Sequence, residues 1–458
     1  MSSAARGWQN AAARAIIRSM PKRKSNLGNT IELILSQPTS PFRESWAKQA
    51  CRYFSAKRGL PVFEDDFGNL WIGVKNRAQA ARAALVFVAH MDHPGMVVER
   101  FERRAGRVYA HATWLGGGPK KIVGFPVQVF SDVSAVMVFD GIVRSQTNGA
   151  RGPEKAVIEV LARKVSSFGQ ARGLGRKLME RACTPAGFKS LGPWGACLWY
   201  ERAGIPQGVA LKNGKWITKA ADDLIGVCAI LEGYVRAGKT RRHARQTNGG
   251  RESTSRVGVH GKNIAILLTR AEESGFHGAV DVLEKRILNP QKTLVVSVET
   301  SSRLAGAMPG LGPVVRLGDR SSVFDPAFAR WIESCAAALA KRDSRFRFQK
   351  KLMDGGTCEA TAFNCYGFRV AGISTPLENY HNRFLPAKAL TSKVKTSAPH
   401  GPYPEMVDAA DVEKLASFIE YLIAGFERGL IRNLSREAFA PLKRAILKNY
   451  RAETAKYA

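Results

Sequence analysis

Residues 84–89 (ALVFVA) are an unbroken run of β-forming apolar residues, read as a buried strand. Runs of this kind, separated by helical patterns, recur through the second half of the chain, and that alternation constrains the fold most. From residue 222 onward a helix at 223–236 precedes the strand NIAILLT (263–269), and a short helix near 277–287 precedes TLVVSV (293–298). A clear helix at 325–342 is followed by the strand RFRFQKKLM, a short helix at 358–364, the strand FRVAGIST and a long helix at 410–430. Strands spaced by helices predict an α/β fold, a mostly parallel mixed sheet flanked by helices. Upstream, helices are expected at 29–37 and 42–59, then strand-like PVFED and NLWIGV joined as a hairpin through Asp66, Phe67 and Gly68.

From about 98 to 215 the texture changes. Short alternating runs (RVYAHATW, PVQVF, AVMVF) punctuated by glycines, including Gly116, Gly117 and Gly118, predict an inserted β-rich domain with a poorly patterned basic part at 144–186. The expected division is a basic N-terminal tail (1–28), a main domain from 29–103 and 216–432, the insertion at 104–215, and a basic C-terminal tail (433–458). The stretch 239–256 reads as a mobile surface insertion.

The 458 residues carry 70 Lys and Arg against 38 Asp and Glu, a net charge of +32. Such a surplus attracts polyanions and acidic substrates. It is dispersed over several stretches and forms no recognisable groove-reading module, so nucleic acid is not the favoured partner. No apolar stretch reaches bilayer-spanning length, so no membrane is implied. The basic, acid-free opening is compatible with an organellar transit peptide, although a solvated basic tail is the simpler reading. Seven scattered cysteines without a CxxC pair argue for a reducing, cytoplasmic location.

What the predicted strands deliver at their ends points to chemistry, because open α/β sheets bind ligands beyond the carboxyl ends of their strands. Strand 84–89 delivers His90 and Asp92; strand 263–269 delivers Glu272 and Glu273; strand 293–298 delivers Glu299; His381 follows strand 368–375, and Asp222 precedes the helix at 223. Singly, each has an ordinary explanation, such as a helix cap for Asp222. Together they make a reasonable dinuclear zinc set, and the adjacent Glu272 and Glu273 would repel unless a cation or proton relieved them. Asp222, Glu273 and Glu299 give −3 against +4 from two Zn²⁺, and a bridging hydroxide brings the sum to zero. Glu272 is then the spare carboxylate that takes a proton from the bridging water, and Asp92 accepts from the other ring nitrogen of His90. His93 and His277 are read as non-ligands.

The ordered set HMDHPGMVVE, AADDLIGVCAILE, TRAEESGFHGA, GPVVRLGD and GGTCEATAFNCYG followed by VAGISTPLENYHN resembles the dinuclear zinc exopeptidases, in their TET-type and glutamyl-aminopeptidase-like branch. The resemblance covers roughly 29–103 and 216–430. It implies an aminopeptidase with Asp222 bridging, His90 and Glu299 on one metal, Glu273 and His381 on the other, and Glu272 as general base and acid. It also implies two divalent ions, zinc foremost with cobalt or manganese as alternatives, and a peptide substrate. The insertion would be a lid and dimerisation domain, and the homo-oligomer would range from a dimer to a dodecamer. Glu299 stands where that branch usually has Asp, which keeps open a carboxypeptidase or an N-acyl amino-acid deacylase. A non-catalytic basic binding protein on a retired peptidase fold is the alternative from another class.

Overall fold

A computed structural model describes residues 26–132, 138–150, 152–164, 192–200, 208–247, 263–383 and 401–427, with short pieces near 183–188, 205 and 439–448; for 162–164 and 241–247 it describes the backbone alone. Helices Asn26–Leu35 and Ser45–Lys57 lead to a hairpin of β1 (Val62–Glu64) and β2 (Leu70–Ile72), then to β3 (Leu85–His90), buried at every residue. Six strands follow: β4 (Gly95–Arg104), β5 (Arg107–Leu115), β6 (Pro126–Ser131), β7 (Val138–Gly149), β8 (Gly152–Lys164) and β9 (Trp194–Leu198). They close into an antiparallel barrel in the order β4-β5-β8-β7-β6-β9.

The chain then returns to the large sheet through β10 (Val209–Lys212), β11 (Lys215–Thr218), β12 (Ile264–Thr269), β13 (Leu294–Ser302), β14 (Val314–Asp319), β15 (Gln349–Met353), β16 (Arg369–Glu378) and β17 (Glu405–Asp408). The sheet runs β1-β2-β12-β3-β13-β16-β17-β11-β10, with β14 on β16 and β15 on β14. Its central strands β12, β3, β13 and β16 are mutually parallel, while the flanking strands pair antiparallel except for β15, which runs parallel to β14. The fold is the mixed α/β sheet expected, with a separate β-barrel.

Strand periodicity divides the core into two layers. Leu85, Phe87, Ala89, Ile266, Leu268, Val296 and Val298 face helices Asn26–Leu35, Ser45–Lys57, Leu224–Thr247, Pro326–Arg342 and Ala409–Glu427. The alternate residues Val86, Val88, Ala265, Leu267 and Val295 face helices His277–Glu284 and Glu359–Cys365. The barrel has its own core, including Phe101, Val129, Ile158 and Trp194. Among the described residues no helix is long and apolar enough to cross a membrane.

Several elements depart from expectation. The helix from Leu224 runs beyond 236 to Thr247, because KTRRHARQT holds good helix formers and no Gly or Pro. It takes up the first half of the presumed loop 239–256, whose remainder lies outside the described residues. The basic stretch 144–186 is likewise ordered at first: β7 and β8 form a hairpin that turns Ala156, Ile158 and Val160 into the barrel core. Its continuation at 165–182 lies outside the described residues, as do both tails over 1–25 and 449–458. Strand β13 extends to Ser302 because it pairs along its length with β16. RFRFQKKLM keeps only Gln349–Met353 as strand. The short strands β10, β11, β14 and β17 were not anticipated.

Helices Leu224–Thr247 and Ala409–Glu427 approach closely at Gly233, where an added Cβ would lie 2.7 Å from the Ala416 carbonyl oxygen and 2.9 Å from Ile419. Gly233→Ala is expected to cost about 1–3 kcal/mol through overpacking, outweighing the helix-propensity gain of about 1 kcal/mol. Urea unfolding measures this, and a more stable variant would show that the two helices can move apart.

Candidate metal and catalytic centre

Because β12, β3, β13 and β16 are parallel, their carboxyl ends share one edge of the sheet. His90 is the last residue of β3 and sits beside Thr269, the last of β12, from which the chain turns into Glu272 and Glu273. Glu299 lies within β13, and His381 lies in the single turn Tyr380–Asn382 after β16, with φ of 54°. Asp222 precedes the helix beginning at Leu224, and the Asp222–Asp223 peptide is cis. The structure thus brings His90, Asp222, Glu272, Glu273, Glu299 and His381 to one place.

Asp222 lies between the two imidazoles: its Oδ1 is 3.6 Å from His90 Nε2 and its Oδ2 is 3.4 Å from His381 Nε2. Glu273 Oε1 is 3.1 Å from His381 Nε2, and Glu272 Oε2 is 3.8 Å from His90 Nε2. Three overlapping groups (His90, Asp222, Glu299; Asp222, Glu273, His381; His90, Glu272, Glu273) each place one potential ligand atom per residue within 4.8 Å of the others. Buried polar atoms normally find partners, yet Glu273 Oε1 and His381 Nε2 face each other at 3.1 Å without an aligned hydrogen bond. Nitrogen and carboxylate donors left open in this way fit a divalent cation.

The electrostatics tell the same story. Burial opposes charge on His381, but Glu273 and Asp222 prevail and hold its pKa up to about 9. Burial likewise opposes charge on His90, which Glu272, Asp222 and Asp92 nonetheless raise well above the ordinary value. Burial would raise Asp222, yet the two imidazoles hold it well below the usual carboxylate range. Glu272 is driven the other way, pushed well above the usual range by burial and by Glu273 and Glu299, against the pull of His90. Without a cation, protons neutralise the cluster.

Asp92 has two duties. Its backbone oxygen is 3.2 Å from His90 Nδ1 and its carboxylate 3.6 Å, while its two carboxylate oxygens accept the backbone N–H groups of Glu272 and Glu273 at 3.0 and 3.1 Å. The carboxylate thus holds the Glu-Glu turn more closely than the imidazole. His93 Nδ1 contacts the Asp222 carbonyl oxygen at 2.6 Å, and the His277 ring packs near Phe42 with centroids 5.1 Å apart. Among the described residues, neither belongs to a potential ligand group.

Sequence reasoning missed Glu405. Fully buried in β17, its Oε2 accepts the N–H groups of Ala221 and Asp222 at 2.6 and 3.0 Å, and its Oε1 accepts that of His381 at 2.8 Å. One carboxylate therefore ties together the backbones carrying Asp222 and His381. Nothing in its local sequence, a lone acid in a four-residue strand, marks this role. Asp223 and Glu359 are further buried carboxyls absent from the simple charge sum. Burial pushes Glu359 up to about 8, Glu405 to about 8 with help from Asp222, and Asp223 well above its usual range.

The barrel also reaches the site. Past β5, Gly116 faces Glu273, and an added Cβ on Gly117 would come within 2.4 Å of His381 Nδ1. Gly117→Ala should displace the His381 ring and weaken metal retention at least tenfold, measured by dialysis against a competing chelator; retention equal to the unaltered chain would count against this contact. The ionisations give a second expectation. A His381 pKa of about 9 against the ordinary 6.5 makes its contribution to metal-free stability full below 6.5 and lost as pH rises through 9. The raised carboxyls act in the same sense, favouring the metal-free fold at low pH. Cation binding must expel these protons, so metal-induced stabilisation should grow between pH 6.5 and 9, by at most about 1.4 kcal/mol per pH unit for each proton released. Thermal melts with and without Zn²⁺ test this, and a pH-independent difference would refute it.

Residues 205–390 match the family model described as M42 glutamyl aminopeptidase. No curated protein matches the chain. Among solved structures, it is similar to a TET aminopeptidase from a marine sediment archaeon of the Thaumarchaeota, with 16% identity, 90% of this chain and 100% of that one covered, and a TM-score of 0.61. It is also similar to the TET1 peptidase of Pyrococcus horikoshii, with 18% identity, 87% and 99% coverage and a TM-score of 0.58. A third likeness is to an aminopeptidase from Desulfurococcus kamchatkensis, with 16% identity, 87% and 96% coverage and a TM-score of 0.56. At these identities the likenesses establish the fold, and the family match covers the segment bearing Asp222, Glu272, Glu273, Glu299 and His381. The matched segment and the shared architecture agree: residues 205–390 match the M42 glutamyl aminopeptidase model, and the fold is that of the TET aminopeptidases.

Proposed function

We propose that this peptide hydrolase is an aminopeptidase that works with two divalent metal ions, zinc foremost. The observation that carries the reading is the Asp222 carboxylate, set with one oxygen toward His90 and the other toward His381. His90 and Glu299 would hold one ion, Glu273 and His381 the other, and Asp222 both. When bound, such a pair supplies Lewis acidity, polarising a scissile carbonyl and acidifying water.

The chain's own residues do the rest. Glu272 adjoins the ligands without being needed as one, and burial makes its ionised carboxylate a stronger base than an exposed one. It takes the proton of the attacking water and returns it to the leaving amine. Asp92 fixes the Glu272 backbone through its N–H. The barrel loop at Gly116–Gly118 closes the site on the His381 side. The substrate is a peptide with a free N-terminus, and the net charge of +32 favours acidic ones by long-range attraction.

The described TET1 peptidase can assemble into a tetrahedron or a large octahedral shell, and for this chain we propose a homo-oligomer, from a dimer up to a dodecamer. The unpaired cysteines suit a reducing, cytoplasmic setting. Glu299 supports one competing reading, cleavage of N-acyl amino acids on the same scaffold.

The purified chain should carry about two zinc equivalents and lose activity on chelation. Glu272→Gln should lower kcat by about 10²–10⁴-fold while leaving metal content intact. Activity confined to N-acyl amino acids, with none on aminoacyl-p-nitroanilides, would replace aminopeptidase with deacylase. Full turnover by Glu272→Gln would remove this residue from its role.

A further inference from the structure

Glu299 reaches the centre on a side chain with three rotatable bonds, so something must hold it in place. Two residues are placed to do so. Ser297, two positions earlier on the same face of β13, donates its hydroxyl to Glu299 Oε1 at 2.7 Å. This bond occupies one carboxylate oxygen and bends the side chain back along its own strand. On the other side, Arg316 Nη1 lies 3.9 Å from Glu299 Oε2.

The route by which Arg316 arrives is built into the sheet. Arg316 of β14 is paired with Gly372 of β16, and Gly372 with Ser297 of β13. Gly372 has no side chain, so the Arg316 stem lies over it: an added Cβ there would sit 3.1 Å from Arg316 Cβ and 3.2 Å from its Cδ. The row Arg316–Gly372–Ser297 therefore crosses three strands and ends beside Glu299. The guanidinium is buried, and its Nε and Nη1 find no hydrogen-bond acceptor. A buried cation is tolerated only opposite an anion, and among the described residues Glu299 is the carboxylate within ion-pair range.

We propose that Ser297 and Arg316 are positioning residues that hold Glu299 in one rotamer for the cation on the His90 side. This rests on the metal-site reading above and adds to it an asymmetry. The His90 side depends on a long carboxylate that must be held from both flanks. The His381 side depends on Glu273, whose backbone Asp92 fixes, and on His381, whose backbone Glu405 fixes. Releasing Glu299 frees rotatable bonds that must be ordered again on binding, and that cost falls on one cation alone.

The test is titration of the chelator-stripped full chain with Zn²⁺ alone, against a competing chromophoric chelator. The unaltered chain should bind two equivalents. Ser297→Ala and Arg316→Met should each weaken one equivalent at least tenfold and leave the other unchanged, while Ser297→Thr and Arg316→Lys should recover part of the loss. In the His381→Ala background, Ser297→Ala should weaken the single remaining equivalent, which identifies the affected side. Circular dichroism and thermal melts establish that each variant is folded; Ser297→Ala removes a single oxygen and serves if Arg316→Met does not fold. Two equivalents bound with unchanged affinity by folded Ser297→Ala and Arg316→Met would overturn the proposal. Absence of zinc binding by the unaltered chain would instead overturn the metal-site reading, and this inference with it.

Discussion

Ionisable groups crowd one edge of a buried sheet. Asp92, Asp222, Asp223, Glu299, Glu359 and Glu405 are buried within reach of Glu272, Glu273 and two imidazoles. Like charges at such distances in a dry environment cannot all persist. The protein settles the conflict with protons on some groups, Arg316 opposite Glu299, and a geometry that leaves donor atoms facing one another around Asp222. An apolar substitute would relieve the strain more cheaply, so the cluster is best understood through the cations it can hold.

The scaffold carries the burden of keeping these groups in place. Parallel pairing of β12, β3, β13 and β16 brings the segments bearing the candidate ligands to one edge, and three buried carboxylates then fix backbone where the strands end. Asp92 grips the turn of Glu272 and Glu273, and Glu405 joins the Asp222 and His381 segments. Glu44 accepts the Ala271 N–H at 3.0 Å and pairs with Arg270 Nε at 2.6 Å, securing the turn from the side of helix Ser45–Lys57. These bonds to backbone leave the candidate ligand side chains free to face one another.

Much of this was legible because it depends on local pattern. Buried strands write themselves as apolar runs, and the residues just beyond them, His90, Glu272, Glu273 and His381, could be assigned to a common edge by topology alone. Glu299 was found too, although the strand passes through it and continues. The rest was hidden because it depends on pairing between distant segments. Glu405 matters through three N–H groups that it meets only in the folded chain, and Arg316 through a glycine on a neighbouring strand. The basic stretch from 239 misled for a different reason: lysine and arginine signal solvent exposure, and exposure is compatible with a continuing helix.

The contact between Gly117 and His381 carries a consequence for how the two parts of the molecule communicate. Residue 117 carries no side chain where the barrel loop passes the imidazole, so a shift of the barrel toward the site would press directly on that ring. Thermodynamic reciprocity would then apply: a neighbouring subunit that braced the barrel would alter the affinity of the centre for a cation, and filling the centre would favour that subunit's docking to the same degree.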